Sequence, residues 1–238
     1  MTTLTQAPPS PGFQLRAWQR LALAVFALVL VGLLAFVIFQ PIKVLPRIRL
    51  APGFALTDQN GQTVTNEDLR GQFVLYNFTY TGCPAHGCPA TDAIMAEVNA
   101  RLGEAETGGV PVALVSIALD SSQATPAALQ NLAQAQGAGP AGWRFLSSPD
   151  PDRLKTIVGG GFEVFYEAQP DGSFALSPAL ALVDDWGILR AVYRPTTNPP
   201  DAARILDHIR LLGQEVRNSQ GVGKLGYEAA HLFLCYAP

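Results

Sequence analysis

The longest apolar pattern in the chain has no polar interruption: Leu21 to Phe39, LALAVFALVLVGLLAFVIF, runs nineteen residues without a charge or a strong hydrogen-bonding side chain. At about 1.5 Å per residue such a run suits a helix across roughly 30 Å of hydrocarbon. A cleaved signal peptide has a shorter apolar region, about 7 to 15 residues, with small residues at its cut site. This run ends instead in Val37-Ile38-Phe39-Gln40-Pro41. The pattern predicts an uncleaved membrane anchor at 21–39. A flexible tail at 1–20, with Pro8, Pro9 and Pro11, precedes it, and a proline-punctuated linker at 40–52 follows.

Beyond the linker the patterns are short and alternate in type. Phe54-Ala55-Leu56 and Gln62-Thr63-Val64 flank Asp58-Gln59-Asn60-Gly61, where Asn-Gly supplies the positive φ angles of a tight hairpin turn. Phe73 to Phe78 is a β-rich run, and after Pro89 the spacing of Ile94, Val98 and Leu102 predicts a helix. Val110 to Leu119 is nearly continuously apolar, as in a strand covered on both faces, and Thr125 to Gln136 predicts a helix with Pro126 in its first turn. Pro151 to Val158 predicts a short helix that Gly159-Gly160-Gly161 breaks. Ala179–Val183 and Ile188–Tyr193 predict an antiparallel hairpin around Asp184-Asp185-Trp186-Gly187, and Ile205, Ile209 and Leu212 mark a last helix from Pro199. Alternation followed by a hairpin predicts an α/β domain at 53–215, a mixed sheet flanked by helices. Residues 216–238 form an appendage whose Tyr227, His231, Leu234 and Cys235 would share one helical face.

Composition narrows the function classes. At 48% hydrophobic and 15% charged residues the chain is too apolar for a disordered protein. All nineteen acids but only eleven of the sixteen basic residues lie beyond the linker, a net charge of −8 that argues against a nucleic-acid partner. Basic residues flank both ends of the apolar run, Arg16 and Arg20 before it and Lys43, Arg47 and Arg49 after it. Charge therefore does not settle orientation, and long C-terminal domains translocate largely regardless of it. No GxxxxGK[ST] or GxSxG motif is present.

The candidate chemistry lies in TYTGCPAHGCPA, Thr79 to Ala90, where Cys83 and Cys88 have four residues between them in a loop from strand to helix. Unpaired N–H groups at a helix start stabilise a thiolate, and Cys88, just before Pro89, should feel them most. A redox pair, a metal clamp and a structural disulfide all fit this spacing. His86 lies between the cysteines, and His231 with Cys235 at i, i+4 is a spacing that can grip a metal. Cys235 is the odd cysteine of three, and His208, among charged neighbours, reads as solvated surface.

Taken together, YNFTYTGCPAHGCPA, VSIALDSSQATPAALQNLA, GWRFLSSPDPDRL and LALVDDWGILRAVYR resemble the SCO/SenC family of membrane-anchored, thioredoxin-like copper proteins of cytochrome c oxidase assembly. The resemblance covers roughly 51–212. It implies a thioredoxin-like fold and a copper site of two loop cysteines, here Cys83 and Cys88, plus a histidine on a second loop. It also implies an extracytoplasmic domain that delivers copper to an acceptor such as cytochrome c oxidase subunit II.

Two features depart from the family pattern. The family loop usually has three residues between its cysteines, and matching its histidine stretch to LSPALALVD places Leu176 where the histidine should be. Two thiolates alone suit Cu(I) better than Cu(II), which prefers added nitrogen or oxygen donors. His86, His231 and Cys235 are the candidates for a further ligand. Pro178 matches a proline that is characteristically cis beside the active disulfide of thioredoxin-like oxidoreductases, although Ser-Pro bonds are mostly trans. The alternative is therefore a thiol:disulfide oxidoreductase in which Cys83 attacks and Cys88 resolves, keeping oxidase copper-site cysteines reduced. A peroxiredoxin would need threonine three residues before the reactive cysteine, where this chain has Tyr80.

Overall fold

The computed structural model describes residues 16–39, 43–138, 142–219 and 223–233. The chain divides into two units, Met1–Pro41 and Ile42–Pro238. In the first, helix α1 (Ala17–Phe39) begins four residues before the expected anchor. Its stretch Ala17–Ala35, of mean hydropathy 2.0, is long and apolar enough to cross a membrane.

The second unit is a mixed sheet between helices. Strand β1 (Arg49–Leu50) leads into the hairpin β2 (Ala55–Asp58) and β3 (Thr63–Thr65). The hairpin forms where Asn-Gly predicts it: Asp58 Oδ1 accepts from the Asn60 and Gln62 amides, both at 2.8 Å, and Gly61 has φ +77°. Strand β4 (Phe73–Thr79) runs into a one-turn helix α2 (Cys83–His86) and then α3 (Ala90–Arg101). Strand β5 (Val112–Ala118), α4 (Pro126–Ala135) and β6 (Trp143–Ser147) follow.

Helix α5 (Pro151–Leu154) continues as a π-helical turn through Lys155–Gly161, so the three glycines do not break the winding. A Cβ on Gly161 would sit 2.6 Å from the Pro52 ring, and close approach is what that glycine provides. A small separate hairpin, β7 (Tyr166–Ala168) with β8 (Phe174–Leu176), precedes β9 (Leu180–Val183) and β10 (Ile188–Tyr193). Helix α6 (Ala202–Asn218) runs six residues past Leu212, and α7 (Gly223–Phe233) follows.

The eight strands stand in the order β1-β10-β9-β4-β5-β6-β2-β3. Parallel β4, β5 and β6 form the centre, and β9 and β10 add antiparallel on one side, as the pattern of alternation followed by a hairpin predicts. Strand β4 is buried along its whole length because both faces are covered. Its odd positions Phe73 and Leu75 face the core with Met95, Leu129 and Ile205. Its even positions Val74, Tyr76 and Phe78 face the core with Leu154, Ile157 and Phe162. Each such side chain taken from water contributes about 1.5–3 kcal/mol.

One expectation for a histidine changes. His208 is buried, not solvated, because α6 turns it onto β10, where its Nδ1 lies 2.7 Å from the Tyr193 hydroxyl. His231 on α7 meets Glu215 of α6 at 2.9 Å. Glu215 and Asp184 hold the buried Arg190 at 2.7 and 2.9 Å, so α7 is docked on the domain through a charged cluster. Leu234 and Cys235 lie outside the described residues, as do residues 1–15 of the tail and 40–42 of the linker.

Candidate functional site

Strand β4 changes character at its C-terminal end. Period-2 alternation carries the face of Phe73 and Leu75 on to Asn77 and Thr79, two fully buried polar residues where the pattern would place apolar ones. Both donate to one acceptor, Asp92 in the first turn of α3: Asn77 Nδ2 to Oδ1 at 2.5 Å and Thr79 Oγ1 to Oδ2 at 2.8 Å. Gln136, at the end of α4, adds a third donor to Oδ2 at 2.7 Å. Burial pushes the Asp92 carboxyl above the usual carboxylate range, against the pull of these three hydrogen bonds.

The cysteines sit on this polar floor. The loop after β4 is pinned by Asp120, whose carboxylate accepts from the Thr81 amide at 2.9 and 3.0 Å and from the Thr81 hydroxyl. Tyr80 donates from its hydroxyl to the Gly87 carbonyl at 2.9 Å and packs on Phe174 with ring centroids 5.2 Å apart. Cys83 opens the single turn α2, closed by the Gly87 amide on the Cys83 carbonyl at 2.7 Å. Gly87 has φ +98°, which turns the chain toward Cys88 just ahead of α3. The result is a disulfide between Cys83 and Cys88 with Cα atoms 4.4 Å apart.

The two sulfurs are not equivalent. Cys83 is fully buried, with its Sγ 3.6 Å from Asp92 Oδ2 and 3.8 Å from Thr79 Oγ1. Cys88 is exposed. Access from outside is therefore at Cys88, while Cys83, expected as the attacking cysteine in exchange, is enclosed.

Among the described residues, one group of three His, Cys, Asp or Glu side chains brings its donor atoms within 4.8 Å of one another, and it is Cys83, Cys88 and Asp92. His231 is not in it, being engaged by Glu215. The backbone of His86 lies in α2, while its side chain and the whole of Cys235 fall outside the described residues. Leu176 ends β8, half-buried beside the cluster of Phe78, Phe162 and Tyr166, and so serves packing. Two residues before it on the same strand face, Phe174 touches Tyr80 of the cysteine loop. No peptide bond among the described residues is cis, so Pro178 lacks the geometry of the oxidoreductase proline and is an ordinary residue before β9.

Asp92 went unrecognised in the sequence. Its signal was the pair Asn77 and Thr79, polar residues on a strand otherwise built for a dry core, which call for a buried acceptor opposite.

This arrangement, a cysteine loop between the central parallel strand and the next helix, coincides with a known group. The SCO1/SenC family model matches residues 44–210. The chain belongs to the SCO1/SenC family. A "Putative copper-binding protein" of Stutzerimonas stutzeri is 32% identical over 168 residues, 71% of this chain and 80% of that protein. Among solved structures, Bradyrhizobium japonicum ScoI with copper bound is 26% identical, covering 67% of this chain and 99% of its own, with a TM-score of 0.52. BsSco, described as a member of the Sco family of cytochrome c oxidase assembly proteins with a disulfide switch, has a TM-score of 0.60 at 21% identity, covering 73% of this chain and 98% of its own. The SCO1/SenC domain here has the thioredoxin-like fold of these proteins.

Proposed function

We propose that this SCO1/SenC protein binds copper as cargo through Cys83 and Cys88 and passes it to an acceptor in cytochrome c oxidase assembly. The observation that carries the reading is the paired cysteines after β4, one buried and one exposed, in a chain similar to a "Putative copper-binding protein". The donor set fits the metal: once an external dithiol, itself oxidised to a disulfide, gives the Cys83–Cys88 disulfide two electrons and two protons, two soft sulfurs stand ready for Cu(I). Binding as thiolates releases their protons, which ties loading to pH as well as to redox state. Exposure of Cys88 gives an acceptor thiolate a point of entry, so copper leaves by exchange of sulfur ligands, with Cys83 letting go last. The acceptor class is a cysteine-rich copper site such as that of oxidase subunit II. With α1 as a single-pass anchor, the domain works on the extracytoplasmic side of the membrane.

The test is a Cu(I) titration of the reduced full chain in detergent under a competing chelator, beside Cys83→Ser and Cys88→Ser. The expected result is one tightly held Cu(I) in the wild type and at least about a hundredfold loss in either variant, some 2.7 kcal/mol. Equal weak binding by all three proteins removes the copper reading. A second reading, thiol:disulfide exchange with oxidase cysteines, is favoured by the formed disulfide and by Leu176 in place of the family histidine. It predicts reduction of a dithiol-forming subunit peptide disulfide, the reduced pair supplying both electrons and both protons.

A further inference from the structure

Asp92 is a buried carboxylate without a cation. Among the described residues no Lys or Arg forms an ion pair with it, and the side chains that donate to it are those of Asn77, Thr79 and Gln136. A buried anion held this way is expensive unless something positive can join it. In the disulfide neither sulfur carries a proton, so the 3.6 Å approach of Oδ2 to Cys83 Sγ brings the carboxylate no hydrogen bond in this state.

That separation has a meaning for metal binding. Taking zinc's bond lengths as a guide to first-row divalent ions, about 2.3 Å to sulfur and 2.0–2.2 Å to carboxylate oxygen, two donors on one ion at tetrahedral to trigonal angles lie about 3.5–3.9 Å apart. Cys83 Sγ and Asp92 Oδ2 already stand at that distance, on the first residue of the single turn α2 and in the first turn of α3. Cys88, exposed and following Gly87, is the donor with freedom to adjust once the disulfide opens. The hydrogen bonds from Asn77, Thr79 and Gln136 are the kind of outer support that orients a ligating carboxylate, and an ion bound at Oδ2 takes the place of one of the two donors there.

We infer that Asp92 is the third donor of the Cys83/Cys88 site, giving a two-thiolate, one-carboxylate centre in which oxygen stands where the family histidine is lost to Leu176. The inference rests on the copper reading above. A carboxylate is a hard donor, so its contribution falls on Cu(II), while the two thiolates carry Cu(I) with little help.

The experiment uses the reduced full chain in detergent, anaerobically, with Cu(II) and Cu(I) ions as separate probes under competing chelators. Asp92→Asn is expected to weaken Cu(II) at least tenfold, to alter the thiolate-to-Cu(II) absorption band, and to change Cu(I) affinity less than threefold. Retained Cu(I) binding shows that the variant is folded. Unchanged Cu(II) affinity and spectrum in a folded variant overturn the inference. Independently of any variant, wild-type Cu(II) is expected to show no directly bound nitrogen by electron paramagnetic resonance. Strong nitrogen coupling assigns the third position to a histidine and also overturns it. A reduced wild type that fails to bind Cu(I) overturns the copper reading itself, an outcome distinct from loss of the Asp92 effect alone.

Discussion

At the scale of single residues, the disulfide is open to attack from one side. Cys83 is sealed beneath the loop against Thr79 and Asp92, whereas Cys88 stands in solvent two residues before α3. After reduction, alkylation with iodoacetamide followed by peptide mapping should therefore label Cys88 at least about ten times faster than Cys83, since thiolate exposure governs the rate. Faster labelling of Cys83 contradicts the assignment of Cys88 as the entry sulfur. The cysteines themselves were plain in TYTGCPAHGCPA, but their difference was not: sequence order says nothing about which one the fold buries. Asp92 was hidden for a related reason, because an acid in the first turn of a helix satisfies the helix dipole and needs no other explanation until Asn77 and Thr79 are seen to face it.

At the scale of elements, β10 and α6 are joined by two polar clasps. One is Tyr193 with His208; the other is Arg190, which also donates to the Leu45 and Pro46 carbonyls before β1 at 2.7 and 3.2 Å. Arg190→Ala leaves Asp184 buried without its cation and Glu215 with only Arg47 and His231, and should cost about 3–5 kcal/mol in urea unfolding. A loss under 1 kcal/mol would mean that the cluster is not formed in solution. The clasps also predict acid sensitivity. Burial holds His208 down to about 4 from its usual 6.5, so it stays neutral in the fold while the unfolded chain takes up a proton. Stability from this site is complete above pH 6.5 and is lost as pH falls toward 4. Burial alone would raise Glu215, but His231 and Arg190 bring it down to about 2, so its contribution is complete above about 4.5 and is lost as pH falls from there. Denaturant midpoints should thus drop across pH 6.5 to 4, and His208→Gln should flatten that interval; a flat wild-type profile contradicts the buried, neutral imidazole. Placing His208 on the surface was a reasonable inference from Asp207 and Arg210 beside it, yet on a helix the neighbours in sequence point elsewhere.

At the scale of the whole molecule, the strands whose apolar runs are continuous, β4 and β5, and the hairpin turns built on Asn-Gly and Asp-Trp-Gly were legible, because local chemistry alone specifies them. Strand β6 and the small hairpin β7–β8 were not: WRFLS and YEA carry too short a pattern, and only pairing with β5 and with each other gives them form. That hairpin matters, since Phe174 brings it against the cysteine loop. Under the proposed function the Cys83–Cys88 pair is a redox-gated copper clamp. The most direct measurement is the Cu(I) affinity of the full chain in detergent in its dithiol and disulfide forms, under the same chelator. One Cu(I) per reduced chain is expected, with at least about a thousandfold weaker binding after oxidation, some 4 kcal/mol. Equal affinity in the two forms would contradict it.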